Sequence, residues 1–429
     1  MLYRLALLLL VLSTGCFRSG FEREVARPTF DHTWTVNVVE DRAADATDLP
    51  SPLDPTNDRS SLSLREALVL ASASPGTDRI HFDPELFHAD SPAHTTLTGG
   101  LPGLRDRGIF VDGTGAGLVL HGDGLTGPCL EVLANDVRIT HLTLTGCGDP
   151  ALRISGAARV ELAALRILET AGRGLEAVDT SELQVDGLDV ADSADSGLVL
   201  EGVHGATLTR VHVDRSGLSA IQILASQGVV LREGSISVTG DDALLVQAST
   251  EVLIDRVQVV LDVKDAFHGI HLDQVRHSVV QDCFVDPGSA WMIVLSDASD
   301  NRILRNLIDG GDSGIVLEGD SDRNLILQNI ITGCVYDGVY LHGGADENII
   351  AHTSVHACSS GVVGGLDTSQ VANNLHSSDA FVDPAAYDFR LVAGSPAIDA
   401  GEDLGYDLVL GSETRFLGLA PDLGAVESF

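Results

Sequence analysis

The sequence predicts an all-β solenoid, a right-handed parallel β-helix of about 22–24 residues per coil with a short N-terminal capping helix. Three observations carry this expectation. The first is a fixed period. Cys129-Leu-Glu-Val, Ala151-Leu-Arg-Ile, Gly174-Leu-Glu-Ala, Gly197-Leu-Val-Leu, Ala220-Ile-Gln-Ile, Ala243-Leu-Leu-Val, Gly269-Ile-His-Leu, Met292-Ile-Val-Leu, Gly314-Ile-Val-Leu, Gly338-Val-Tyr-Leu and Gly361-Val-Val-Gly recur at steps of 22 to 24 residues, with one step of 26. Such a period is the signature of a solenoid. The second is run length. Each coil holds Val/Ile/Leu runs of four to seven residues broken by Gly, Asp, Ser and Asn, which is strand length rather than helix length. The third is a second strand in phase with the first, as in Arg302-Ile-Leu-Arg-Asn-Leu-Ile and Leu325-Ile-Leu-Gln-Asn-Ile-Ile. The Leu-x-x-Leu-x-Leu-x-x-Asn frame of leucine-rich repeats is absent. Coils of a β-helix stack at about 4.8 Å, so residues one period apart lie above one another and function is read down columns.

Composition agrees with a narrow aliphatic interior: aromatics are only 4% of the 429 residues, and 45 are glycine. The formal charge is −36, from 62 acidic and 26 basic residues. Nucleic acid is excluded as a partner, because phosphate binding needs a basic face. Solubility accounts for the acidity, which also suits Ca²⁺ or basic ligands.

Residues 1–16 read as an export signal. Arg4 supplies the positive start, and the apolar run Leu5 to Leu12 is too short to span a bilayer. Leu12-Ser-Thr-Gly-Cys16 resembles a bacterial lipobox, with Ser13 where the motif usually carries Leu. The resemblance implies lipidation of Cys16 and a cell-envelope location, surface or periplasmic, with simple secretion as the alternative. Residues 17–30 are then a polar tether. Residues 31–100 form an N-terminal cap and the first strands. Thr33 to Val39 alternates as a strand, Ser63 to Leu70 is a helix with Ser63 as its cap and Glu66 closing a capping box, and Arg79-Ile-His-Phe is a strand. The helix covers the core end that a first coil exposes. Repeats occupy residues 101–365. Residues 366–429, irregular and rich in Asp, Gly and Pro, wrap the last coil as a C-terminal cap.

Trp34-Thr-Val-Asn, Leu62-Ser-Leu-Arg-Glu-Ala67, Asp78-Arg-Ile-His-Phe82, Leu101-Pro102 and Val111-Asp-Gly113 together resemble the N-terminal cap of bacterial β-helix proteins that carry a "CSLREA" motif; Leu62 stands in place of the motif's Cys. Phe381-Val-Asp-Pro, Asp388-Phe-Arg-Leu, Gly394-Ser-Pro-Ala-Ile-Asp-Ala-Gly401 and Pro421-Asp-Leu-Gly-Ala-Val-Glu427 resemble the tail of "choice-of-anchor" surface proteins. The resemblance implies a pectin-lyase-like β-helix on a cell surface. It implies no reaction.

Some columns build. Asn301, Asn324 and Asn348 share one turn position, and Asn306 and Asn329 another, where stacked amides can bond one another. Cys334 and Cys358 lie one coil apart, as a disulfide or as a buried thiol ladder. Cys129, Cys147 and Cys283 show no CxxC spacing, so a zinc site of the finger type is not expected.

The one long step, Ala243 to Gly269, places extra residues near Asp262 to His268, and such an insertion often carries the binding function of a solenoid. Column reading brings Asp241, Asp242, Lys264, Asp265, His268, His271 and Asp273 within two coils. Trp291 is one coil on, where an indole can stack on a sugar, with Gln247 and Tyr340 as further substrate contacts. Gly240-Asp241-Asp242 resembles the Gly-Asp-Asp of polygalacturonase-like β-helices, but Phe267-His268-Gly269 lacks the leading Gly of the matching motif and no Arg-Ile-Lys is present. Three chemistries fit. Carboxylates two coils apart lie at an inverting glycosidase's spacing. A uronic-acid lyase would use Lys264 or His268 as base, with Asp-bound Ca²⁺ neutralising the substrate carboxylate. Alternatively the acidic residues only solvate turns. The sequence is read foremost as a monomeric, lipid-anchored β-helix protein for cell-surface carbohydrate binding or structural display, without catalysis. The alternatives are a polysaccharide lyase or glycoside hydrolase acting on uronic-acid-rich polymers, and a protein adhesin.

Overall fold

The computed structural model describes residues 29–42, 61–261, 267–286 and 291–359 and, toward the C-terminus, 361–364, 370–372, 374–376, 381–383 and 388–400. The expected Cys16 lipidation site, Lys264 and Asp265 lie outside these residues.

The chain is a right-handed parallel β-helix. One face is an eleven-stranded parallel sheet, one strand per coil, running in order from Leu130–Val132 to Gly361–Gly364. The other faces belong to a twenty-four-stranded sheet, made continuous by long strands such as Ser181–Ser193 and His204–Ser216. The period in the sequence is the register of the ladder: Leu198, Ile221, Leu244, Ile270, Ile293, Ile315 and Val339 pair in succession. All seven are buried. Alternation along each strand sends these residues inward and their neighbours outward, and each buried aliphatic contributes about 1.5–3 kcal/mol.

The helix forms at Leu64–Ala73, and the expected capping box is present: the Ser63 side chain accepts from the Glu66 backbone N–H, and the Glu66 side chain accepts from the Ser63 backbone. Its apolar side, Leu64, Ala67, Leu68, Leu70 and Ala71, joins the same core as the first coils. No helix among the described residues is long and apolar enough to cross a membrane.

The corners explain the Asn columns more fully than stacking does. At each corner one residue adopts a left-handed conformation, such as Arg305 (φ 52°) or Gln328 (φ 55°), and the Asn that follows faces inward. The Asn306 backbone N–H donates to Asn329 Oδ1 at 2.9 Å, and Asn329 Nδ2 donates to the Ile303 carbonyl at 2.9 Å. Asn301, Asn324 and Asn348 repeat the pattern. The amides thus close backbone groups that the turn leaves without ladder partners, and an amide-to-amide bond is added between Asn306 and Asn329.

Two disulfides tie neighbouring coils. Cys334–Cys358, one of the two readings of that column, has Cα atoms 4.6 Å apart. Cys129–Cys147, at 5.6 Å, spans only 18 residues and so escapes column reading. Cys283 remains a buried thiol whose pKa burial pushes up to about 12. Near the C-terminus, Leu391, Ala397, Ile398 and Ala400 pack on Phe284, Leu307 and Ile330. Residues 391–400 therefore lie along the side of three coils.

Candidate acid–base site

The eleven-stranded sheet positions the site. The strands Leu244–Gln247, His268–Asp273, Trp291–Ser296 and Ile315–Glu318 are consecutive neighbours in it. Their outward columns read Leu245, His271, Val294, Val316 and Gln247, Asp273, Ser296, Glu318. At the leading edge His268 pairs with Trp291, and the Ala243 N–H donates to the His268 carbonyl, which puts Asp242 beside His268 on the next coil.

One carboxylate holds two imidazoles. His268 Nδ1 lies 2.7 Å from Asp242 Oδ1, and His271 Nδ1 lies 2.8 Å from Asp242 Oδ2. The two rings meet edge to face at 4.6 Å between centroids, and Trp291 stacks on His268 at 5.8 Å. Asp242 itself is only 6% exposed. Burial pushes its pKa up, but the hydrogen bonds from His268 and His271 and their charge outweigh burial and hold it down at about 2. The carboxylate is therefore an anion at any physiological pH. It orders both rings, as an anchoring Asp does in other imidazole-based sites. His271 continues outward: its Nε2 is 3.1 Å from Ser296 Oγ, which donates to Glu318 Oε1 at 2.7 Å. His268 Nε2 has no hydrogen-bond partner among the described residues, and the ring has the Trp291 indole at 5.8 Å and Phe267, which is 64% exposed, at 6.5 Å between centroids.

The pairing has a stability consequence of definite sign. A depressed carboxylate stabilises the fold fully above its ordinary value of 3.8 and loses that contribution as pH falls toward 2. Between pH 4.5 and 2.5 the wild type should therefore lose on the order of 2 kcal/mol more than Asp242→Asn. The gap between their melting temperatures, followed by circular dichroism, should close over that window; a gap independent of pH would refute the pairing.

Of the residues expected at the site, Asp242, His268, His271 and Trp291 come together. Asp273 does not join them; it accepts from Gln247 Nε2 at 2.6 Å on the neighbouring column. The Asp241 carboxylate does not bond to the cluster; its backbone carbonyl accepts from, and its backbone N–H donates to, the Thr239 hydroxyl. Tyr340 shares the His271 column but three coils away, about 14 Å at the usual strand spacing, where it stacks on His342. Ser296 and Glu318 were visible as column members, but no reading of columns assigns them to His271. The His271–Ser296 contact is diagonal, one coil on and two residues along.

The donor set also bears on cations. Asp242, His268 and His271 each present a ligand atom within 4.8 Å of the others. Two imidazole nitrogens do not suit Ca²⁺, which takes oxygen ligands; Asp273 and Glu318, on the adjoining column, are the oxygen donors on this face.

Comparison with known proteins agrees with the fold. The model of the family "Right handed beta helix region" matches residues 196–375. The A-module of Azotobacter vinelandii mannuronan C-5 epimerase AlgE6 superposes with a TM-score of 0.59 at 15% identity, covering 72% of this chain and 95% of that one. The corresponding module of epimerase AlgE4 from the same organism gives 0.55 at 14% identity, covering 73% and 94%. No curated protein sequence matches the chain significantly. At these identities the likeness defines the class, a right-handed parallel β-helix protein, and nothing narrower.

Proposed function

We propose that the protein acts on a polysaccharide by proton transfer at carbon, as a uronate lyase or epimerase, with His268 as the base. The observation that carries this reading is the Asp242–His268 pair: an ionised, buried carboxylate fixes Nδ1 as the donor, which leaves the lone pair on Nε2 of a ring stacked with an indole on which a sugar ring can also stack. The hydrogen it would take is the one on the carbon next to a uronate carboxylate. The electron pair left behind either expels the oxygen on the adjacent carbon, forming a double bond, or accepts a proton from the opposite face. The mannuronan epimerase modules, whose names specify reaction at C-5, are consistent with this use of the scaffold.

A uronate must meet the acidic outer column of Asp273 and Glu318, so a counter-charge is part of the proposal. Ca²⁺ bound through these carboxylates would neutralise the substrate carboxylate. Glycoside hydrolysis is less favoured. It needs two carboxyl groups facing each other across the scissile bond, whereas Asp242 is committed to two imidazoles. A non-catalytic carbohydrate-binding role is the second reading, favoured by Phe267 and Tyr336, 64% and 55% exposed, at the same edge as Trp291. Export, lipid anchoring at Cys16 and exposure at the cell surface complete the proposal; they rest on Leu12 to Cys16.

The test is a product assay on the purified chain with polyuronates and neutral polysaccharides, with Ca²⁺ or with chelator, run in D₂O. Products absorbing in the ultraviolet establish a lyase, and deuterium at C-5 without cleavage an epimerase. Neither product, with retention on a polysaccharide column, replaces the catalytic reading with the binding one.

A further inference from the structure

We infer that Asp242, His268 and His271 form a binding site for one divalent transition-metal ion of the Zn²⁺ class, with Ser296 and Glu318 orienting His271 toward it. The first argument is the donor set. Two imidazoles from the strand His268–Asp273 and one carboxylate from the turn just before the neighbouring strand Leu244–Gln247 match the three-ligand sets that bind Zn²⁺ with one site left free. Bonds of about 2.0–2.2 Å to one ion separate adjacent ligand atoms by roughly 3.3 Å. The present nitrogen–oxygen distances of 2.7 and 2.8 Å thus need a withdrawal of only about half an ångström.

The second argument is independent and comes from hydrogen-bond direction. The single Ser296 proton goes to Glu318, so Ser296 Oγ offers His271 only a lone pair, and Nε2 must donate. A neutral His271 then carries a bare Nδ1 facing an ionised carboxylate oxygen 2.8 Å away, two lone pairs in opposition. A positive particle has to lie between them, either a second proton on the ring or a metal ion. An outer N–H held by a hydroxyl that is itself held by a carboxylate is the arrangement that fixes metal-ligating imidazoles.

Metal binding has a consequence for the proposed reaction, and this part alone rests on that reading. An ion on His268 Nδ1 leaves the ring's one proton on Nε2, the atom proposed as base, so Zn²⁺ should inhibit.

The experiment is calorimetric titration of the whole chain, free of any histidine tag, with ZnCl₂. It is made in a His94→Ala background because His94 and His121 form a second imidazole pair at 2.8 Å. One Zn²⁺ per chain is expected, with affinity at least 100-fold weaker in His271→Ala and Asp242→Asn. Ser296→Ala, a change at a half-exposed strand end that leaves the core intact, should weaken binding 10- to 100-fold. No saturable Zn²⁺ binding, or binding unchanged by Asp242→Asn and Ser296→Ala, overturns the inference. Stoichiometric binding that leaves product formation untouched upholds the site and removes His268 as the base.

Discussion

His268→Ala is expected to lower the rate of lyase or epimerase product formation by 10²–10⁴-fold, the usual worth of a positioned general base. His268 Nε2 is the one imidazole nitrogen of the cluster without a hydrogen-bond partner among the described residues; His271 engages Asp242 with one nitrogen and Ser296 with the other. The ring is half-buried on the outer face and only its backbone belongs to the ladder, so the variant should fold with an unchanged far-ultraviolet spectrum. Its effect belongs on kcat, since the base acts only once substrate is seated. Trp291→Ala is the contrasting change: it removes a stacking surface and should act on KM. Wild-type turnover in His268→Ala would sink the assignment and leave Asp242 as an anchor for metal or for structure alone.

How much of this was legible in the sequence follows from what a repeat makes periodic. Columns are fixed by chain spacing, so the inward aliphatic ladder, the outward face and the neighbourhood of Asp242 and His268 can be read by counting. The helix Leu64–Ala73 was legible for another reason, because Ser63 and Glu66 are local signals. Column counting placed Asp273 in the cluster because the column was right and the rotamer is not encoded; the side chain turns to Gln247. It named Tyr340 as a further substrate contact along the same column, and counting coils already puts it three steps from His271. Contacts that cross columns stay hidden: His271 to Ser296 is diagonal, and Cys129 to Cys147 joins positions less than one coil apart in sequence. The stacked Asn residues were recognised as structural, yet their main partners are backbone groups of the adjoining coils, which no side-chain pattern displays. The fold was thus written in the period, while the site depends on side-chain directions that the period leaves free.

Those Asn columns carry the largest expected effect on stability. Asn329→Ala should destabilise the central coils by roughly 3–5 kcal/mol. Asn329 is fully buried, and four hydrogen bonds end on its side chain: Oδ1 accepts from the Asn306 backbone and from Asn306 Nδ2, while Nδ2 donates to the Ile303 and Leu327 carbonyls. Alanine leaves the Asn306 N–H and the Ile303 carbonyl inside the corner without those partners, at about 1–3 kcal/mol for each group, and adds a small cavity. Asn329→Asp separates the two sides of the interaction, since it keeps the acceptor for Asn306 and loses both donations. An exposed ion pair on the same solenoid gives the contrast: Arg323→Ala, which breaks the solvent-screened Arg323–Asp300 bridge, should leave stability nearly unchanged. Because coils contact only their neighbours, unfolding need not be two-state. Urea denaturation should therefore be paired with hydrogen exchange at Asn306, which should accelerate in Asn329→Ala far more than exchange at the distant Leu175–Val178 strand. A cost below about 1 kcal/mol, with Asn306 still protected, would mean that water replaces the amide and that packing, not the Asn column, holds the corners closed.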